Sequence, residues 1–187
     1  SPLRALALYD EFRELTPAGP EGNLMIQKLA EKLVNVDLLD KASDLLGHQV
    51  KFRLRSEEKA AVGTKLALIR LIARDPQGAL DALRDSFYLN VSLEIENDRR
   101  RIRAKAEFEL GKANNAIALL AGDVSREADQ LRSAIYFRER NWGEAAKVYQ
   151  RLVGDPPQEG ESIGEDLGRT ALLWAVALKL NQDEEGL

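Results

Sequence analysis

Three observations predict an all-α fold assembled from about four to five stacked helix–turn–helix units. A small residue recurs at a fixed period: Ala5, Ala42, Ala79 and Ala116 are 37 residues apart, and Ala145 follows after 29. Each is followed at +3 and +4 by Leu8/Tyr9, Leu45/Leu46, Ala82/Leu83, Leu119/Leu120 or Val148/Tyr149, which puts alanine and companions on one helical stripe. Four of the alanines have a second small residue twelve positions upstream: Ala30, Ala67, Ala104 and Ser133. A period of this size marks an array of stacked repeats.

Turn chemistry separates the two small residues of each unit. Asp75-Pro76-Gln77-Gly78 lies between Ala67 and Ala79, Gly111 to Asn115 between Ala104 and Ala116, and Arg140-Asn141 between Ser133 and Ala145. Asp, Asn, Gly and Pro break a helix through caps and turns. Each unit therefore reads as helix, tight turn, helix. Small residues let the two backbones approach to about 8–10 Å where they cross. The expected crossings are Ala30/Ala42, Ala67/Ala79, Ala104/Ala116 and Ser133/Ala145.

The elements follow in order as helices at about 3–15, 24–36, 38–53, 57–74, 76–88, 93–110, 112–121, 126–140, 142–153 and 165–181. Ser56 and Ser125, each followed by acids, are the expected N-caps of the fourth and eighth helices, and Ser162 to Glu165 has capping-box spacing. Residues 87–92 extend a helix or run as a linker, and Gly154 to Asp166 reads as a loop. One repeat array over 1–187 results, with units at 1–17 (partial), 24–54, 57–88, 93–122, 126–157 and 165–187 (partial).

Composition narrows the function. Hydrophobic residues at 44% and charged residues at 31% suit a folded chain, and a net charge of −4 gives no electrostatic reason to expect nucleic acid. With no cysteine, disulfides, zinc thiolate sites and thiol catalysis are excluded. His48 is the only histidine and lacks ligand or catalytic companions, so a half-exposed structural role is expected. No phosphate-binding glycine loop is present. No enzyme activity, cofactor or metal is expected. No apolar run approaches the roughly 18 residues of a membrane span. The start, Ser1 to Arg4, lacks an initiator Met, signal peptide or transit peptide, and the first repeat alanine comes five residues in, so a segment of a longer chain is expected. Location is not determined; the cytoplasm is the first expectation and the periplasm the second.

The run Asp98-Arg99-Arg100-Arg101-Ile102-Arg103-Ala104-Lys105 is the strongest charge feature. Its plainer reading is a solvated helix face with a Glu96–Arg100 pair; its functional reading is a receptor for acidic peptide. Trp142, Trp174, Phe108 and Phe137 read first as core aromatics, with Phe137 the best candidate for an exposed anchor.

In the unit at 126–157, Ser133-x-x-Tyr136, Trp142-x-x-Ala145-x-x-x-Tyr149-x-x-Leu152 and Pro157 resemble the tetratricopeptide repeat family, and Pro17 matches the same closing proline. The other units keep the small-residue pair but lose most aromatics, and a spacing of 37 exceeds the family's usual ~34. The resemblance implies a right-handed α–α superhelix whose groove is lined by the first helix of each pair. Carried over by register, the groove positions are Gln27, Glu31 and Val34; Thr64, Leu68 and Leu71; Arg101, Lys105 and Phe108; Gln130, Ala134 and Phe137. The implied function is a non-enzymatic scaffold that binds a peptide or protein segment, with an acidic peptide preferred at Arg101 and Lys105. An accessory module of a larger enzyme or regulator is the alternative, and a helical-repeat RNA binder the third reading. The first helix (Leu3, Leu6, Leu8) and the last (Leu172, Leu173, Val176, Leu180) lack the polar outer face of a cap, so self-association through both ends is expected.

Overall fold

The computed structural model describes residues 2–11, 17, 19–154 and 164–185, the last four as backbone only. Among them are ten helices and no strand: α1 Pro2–Glu11, α2 Pro20–Val34, α3 Leu39–Phe52, α4 Ser56–Ile72, α5 Pro76–Asp85, α6 Leu93–Glu109, α7 Ala113–Leu120, α8 Arg126–Arg138, α9 Trp142–Val153 and α10 Glu165–Glu185. The chain divides into two compact units, one running to Leu110 and the other from Gly111.

In the first unit each helix packs on the next, and α4 also meets α6. Its core is continuous from Leu6 and Tyr9 on α1 to Ala106 on α6. Ile26 and Leu33 are wholly buried, each worth roughly 1.5–3 kcal/mol of transfer free energy. α2 packs on α3 and α4 on α5, and the small residues Ala30, Ala42, Ala67 and Ala79 are at most 1% exposed.

In the second unit α7 meets α8, α8 meets α9, and α9 meets α10. Ala145, Val148, Tyr149, Leu152 and Ala177 form its core, with Tyr136, Phe137, Leu173 and Trp174 packed against them. Phe137 stands edge-on to Trp142 at 5.1 Å and to Tyr149 at 6.2 Å. Ser133 and Ala145 are buried on the packed pair α8 and α9. Ala104 and Ala116 are both fully buried, one in each unit.

The period is also written in the backbone. Asp37, Arg74, Gly111 and Arg140 all take the left-handed conformation, at φ of 60°, 60°, 78° and 59°. They stand 37, 37 and 29 residues apart, each five before its alanine. At three of these turns the next amide closes a six-residue loop: Leu38 N–H to Leu33 O, Asp75 N–H to Arg70 O and Asn141 N–H to Tyr136 O, at 2.8–2.9 Å. This is the Schellman closure, which satisfies carbonyls that a helix end leaves open. The following helix starts at once: Asp75 accepts from Gly78 N–H at 2.8 Å and Asn141 from Glu144 N–H at 3.3 Å.

Several expected boundaries change. α2 starts at Pro20 instead of 24, because proline's fixed φ suits the first helical turn. α5 ends at Asp85, not 88; the buried Ser86 hydroxyl donates to the Ala82 carbonyl at 2.7 Å, and 87–92 is a linker. Ser125 caps α8 by accepting from Ala128 N–H at 3.2 Å. Ser56 does not cap α4: it has φ 52° within the first turn, and no side chain caps that helix. Residues 12–15 of the first expected helix, most of the expected 154–166 loop, and Ser162 and Ile163 of the capping box lie outside the described residues. Glu165 and Asp166 belong to α10.

Candidate functional site

The first helices of two successive hairpins, α2 and α4, bound an open groove of about 210 Å³ in the first unit. Gln27, Glu31 and Val34 line it from α2, Leu68 and Ile72 from α4, and Leu46 of α3 lies beneath. Leu68 and Ile72 are 44% and 51% exposed, far more than core leucines, so the floor is apolar and open to solvent. Lys65 and Glu31 pair across one rim at 3.3 Å, with both side chains more than half exposed. An ion pair so solvated contributes little stability.

Other groove positions fall elsewhere. Leu71 is 4% exposed and belongs to the core, not to the groove. Thr64 donates to the Ala60 carbonyl at 2.7 Å and accepts from Arg99 at 3.2 Å, so its hydroxyl ties α4 to α6. On α6, Lys105 is exposed, Phe108 is buried at 8%, and Arg101 is ion-paired with Asp98 at 2.5 Å. On α8 of the second unit, Gln130 and Ala134 are exposed, whereas Phe137 is half-buried in its ring cluster. The structure thus brings together Gln27, Glu31, Val34 and Leu68, and gives Thr64, Phe108 and Phe137 packing contacts.

The charge run behaves in two ways. Arg100 pairs with Glu96 at 2.7 Å on a solvated face, as expected. Arg99 turns inward. Its guanidinium donates to the Ala60 carbonyl at 3.0 Å, Thr64 Oγ1 at 3.2 Å, Ser86 Oγ at 3.1 Å and the Leu83 carbonyl. One side chain on α6 therefore fastens α4 and the end of α5. Burial lowers its pKa from the ordinary arginine value. Gly63 makes room for this junction: a Cβ there would come within 1.9 Å of Ser86 Oγ. The sequence places Arg99 in the charge run, but nothing local separates it from its neighbours there: Gly63 and Ser86, which shape the junction, lie 36 and 13 residues away along the chain.

The second unit has its own polar hub. Asp129 accepts from Arg132 at 2.6 Å and from Arg151 of α9 at 3.0 and 2.8 Å. Arg132 also donates to the Leu120 and Asp123 carbonyls. The Arg151 hydrogen bond is the main cause holding the Asp129 carboxyl below its ordinary range, and burial opposes it. The same bond raises Arg151 above its ordinary value.

His48 is half-buried with its ring 4.8 Å from Phe52. Among the described residues, no three His, Asp or Glu side chains gather as a metal site requires, and no helix is long and apolar enough to cross a membrane. No family model and no curated protein matches the chain.

Proposed function

We propose that this chain is a non-enzymatic interaction scaffold, built of tetratricopeptide-like hairpins stacked in the right-handed sense of that family. In this reading a partner peptide lies in the groove of the first helices. The observation that carries it is the open apolar floor of Val34, Leu68 and Ile72 between α2 and α4. Glu31, Leu68 and Lys105 hold the same register on α2, α4 and α6, and all three are exposed. The ligand is then an apolar segment flanked by an acidic residue that meets Lys105. The apolar floor supplies most of the affinity, at about 25 cal/mol per Å² buried, and the charge orients the ligand.

Peptides selected from a random library against this chain test the reading. They should compete with one another, weaken but persist in salt, and lose binding on Leu68→Asp while the circular dichroism spectrum stays helical. A library without binders, or binders indifferent to Leu68→Asp, would overturn it.

A further inference from the structure

The linker between α5 and α6 displays what the preceding hairpin buries. The internal period pairs α3 with α5 residue by residue, and the last turn of α3, at 49–52, corresponds to 86–89. In α3 that turn is helical, and its Val50 is 3% exposed in the core. α5 instead stops at Asp85, and Phe87, the counterpart of Val50, is 70% exposed. Leu89 and Leu93 follow at 80% and 76%, so three large apolar side chains stand in water within seven residues. A cluster of this kind, unlike a lone exposed leucine, marks an interaction site.

Neighbouring helices hold these residues out. Had α5 continued, the Leu83 carbonyl would accept the Phe87 N–H. The Arg99 guanidinium of α6 takes that carbonyl instead, and the Phe87 N–H turns to the Arg84 carbonyl at 3.1 Å. α5 therefore ends a turn early and Phe87 leaves the core. At the far end of the linker, the Ser92 N–H donates to Glu57 Oε1 of α4 at 2.8 Å.

Charge selects the occupant. Residues 85–98 contain Asp85, Glu94, Glu96 and Asp98 and no lysine or arginine, and Glu57 adds a carboxylate at Ser92. Arg84, Arg100 and Arg101 pair with Asp85, Glu96 and Asp98, so Glu94 and Glu57 leave the surroundings of the apolar cluster negative. That field repels an anionic lipid surface. A second copy meeting this one through the same patch would set the same acids against each other.

We infer that the linker is a docking site for a basic partner segment. Its large apolar side chains cover Phe87, Leu89 and Leu93, and its lysines or arginines meet Glu94 and the acids around it. The site is separate from the groove between α2 and α4, because Glu57 and Ile72 stand 15 residues apart on α4, roughly 22 Å along its axis. Its charge preference is also the opposite one.

A random peptide library selected on the chain and then scored on variants tests this. Peptides that survive Leu68→Asp but are lost on Leu89→Ser should carry net positive charge and large apolar residues. Leu89→Ser should weaken them roughly tenfold or more, as expected for one leucine's worth of lost burial. Glu94→Lys should weaken them about fivefold. All three positions are exposed, and circular dichroism identical to wild type confirms that the variants fold. Failure to find any Leu89-dependent peptide overturns the inference, as do Leu89-dependent peptides that are neutral or acidic. Peptides lost equally on Leu68→Asp and Leu89→Ser overturn it by showing a single site. Self-association, or sedimentation with phosphatidylcholine vesicles, that Leu89→Ser abolishes also overturns it, because the occupant is then a second copy or a lipid surface.

Discussion

Arg99 stands in a run of basic residues yet is spent on the interior. Its guanidinium meets two backbone carbonyls and two hydroxyls from α4 and the end of α5. Arg99→Ala leaves those carbonyls without their donor and should cost about 1–3 kcal/mol in a denaturant melt. Arg99→Lys should recover little of that loss, because a single ammonium cannot reproduce the planar fork. A melt in which lysine restores full stability would show that charge, not geometry, holds the junction. The left-handed turn residues make a second test at this scale. Gly111 has open space where a Cβ would go, so Gly111→Ala isolates the conformational cost, about 1–2 kcal/mol. At Arg140, already left-handed at φ 59°, Arg140→Gly should raise the melting temperature by a smaller amount, because glycine is also freer when unfolded. Equal and opposite shifts would contradict that asymmetry.

Among the elements, the α8–α9 pair depends on the Asp129 hub. The Arg151 hydrogen bond depresses the folded pKa of Asp129, so its contribution is complete above the ordinary carboxylate value of about 3.9. It is lost as pH falls through the lower folded value. Asp129→Asn should therefore reduce stability at neutral pH and flatten the acid limb of the stability curve; an unchanged acid limb would place the titrating group elsewhere. The elements were legible because an apolar stripe at helical spacing and a break in it are both local signals. All ten helices appear in the expected order, and the small pairs Ala30/Ala42, Ala67/Ala79 and Ser133/Ala145 are buried on helices that pack together. Depth was not legible. Register shows which way Leu71 and Phe108 point, but only the neighbouring helices decide that both are buried while Leu68 stays open. Ser56 shows the same limit: its residue type suits a cap, but its backbone angle does not.

For the whole molecule, a stacked array draws stability from nearest neighbours, so protection should follow the number of flanking helices. In the first unit α3 and α4 are packed from both sides, whereas α1 rests on α2. Amide exchange should be slowest in α3 and α4 and fast in α1, where Leu3 and Leu8 are more than half exposed. Protection of α1 equal to that of α4 would contradict this nearest-neighbour ordering.

The left-handed turns have a consequence for how this chain tolerates changes in length. The twelve residues from small residue to alanine are constant in four hairpins, while the stretch from one hairpin to the next varies, 25 residues twice and then 17. Among these four hairpins the length varies between hairpins and not within them. One residue inserted between Arg74 and Ala79 would rotate α5 by about 100° and swing Ala79 off its seat on α4. The same insertion among 87–92, where Phe87 and Leu89 already stand in solvent, would be taken up as slack. A scanning-insertion library read out by soluble expression should therefore show sharp intolerance at 35–38, 73–75 and 139–141, and permissive sites at 87–92.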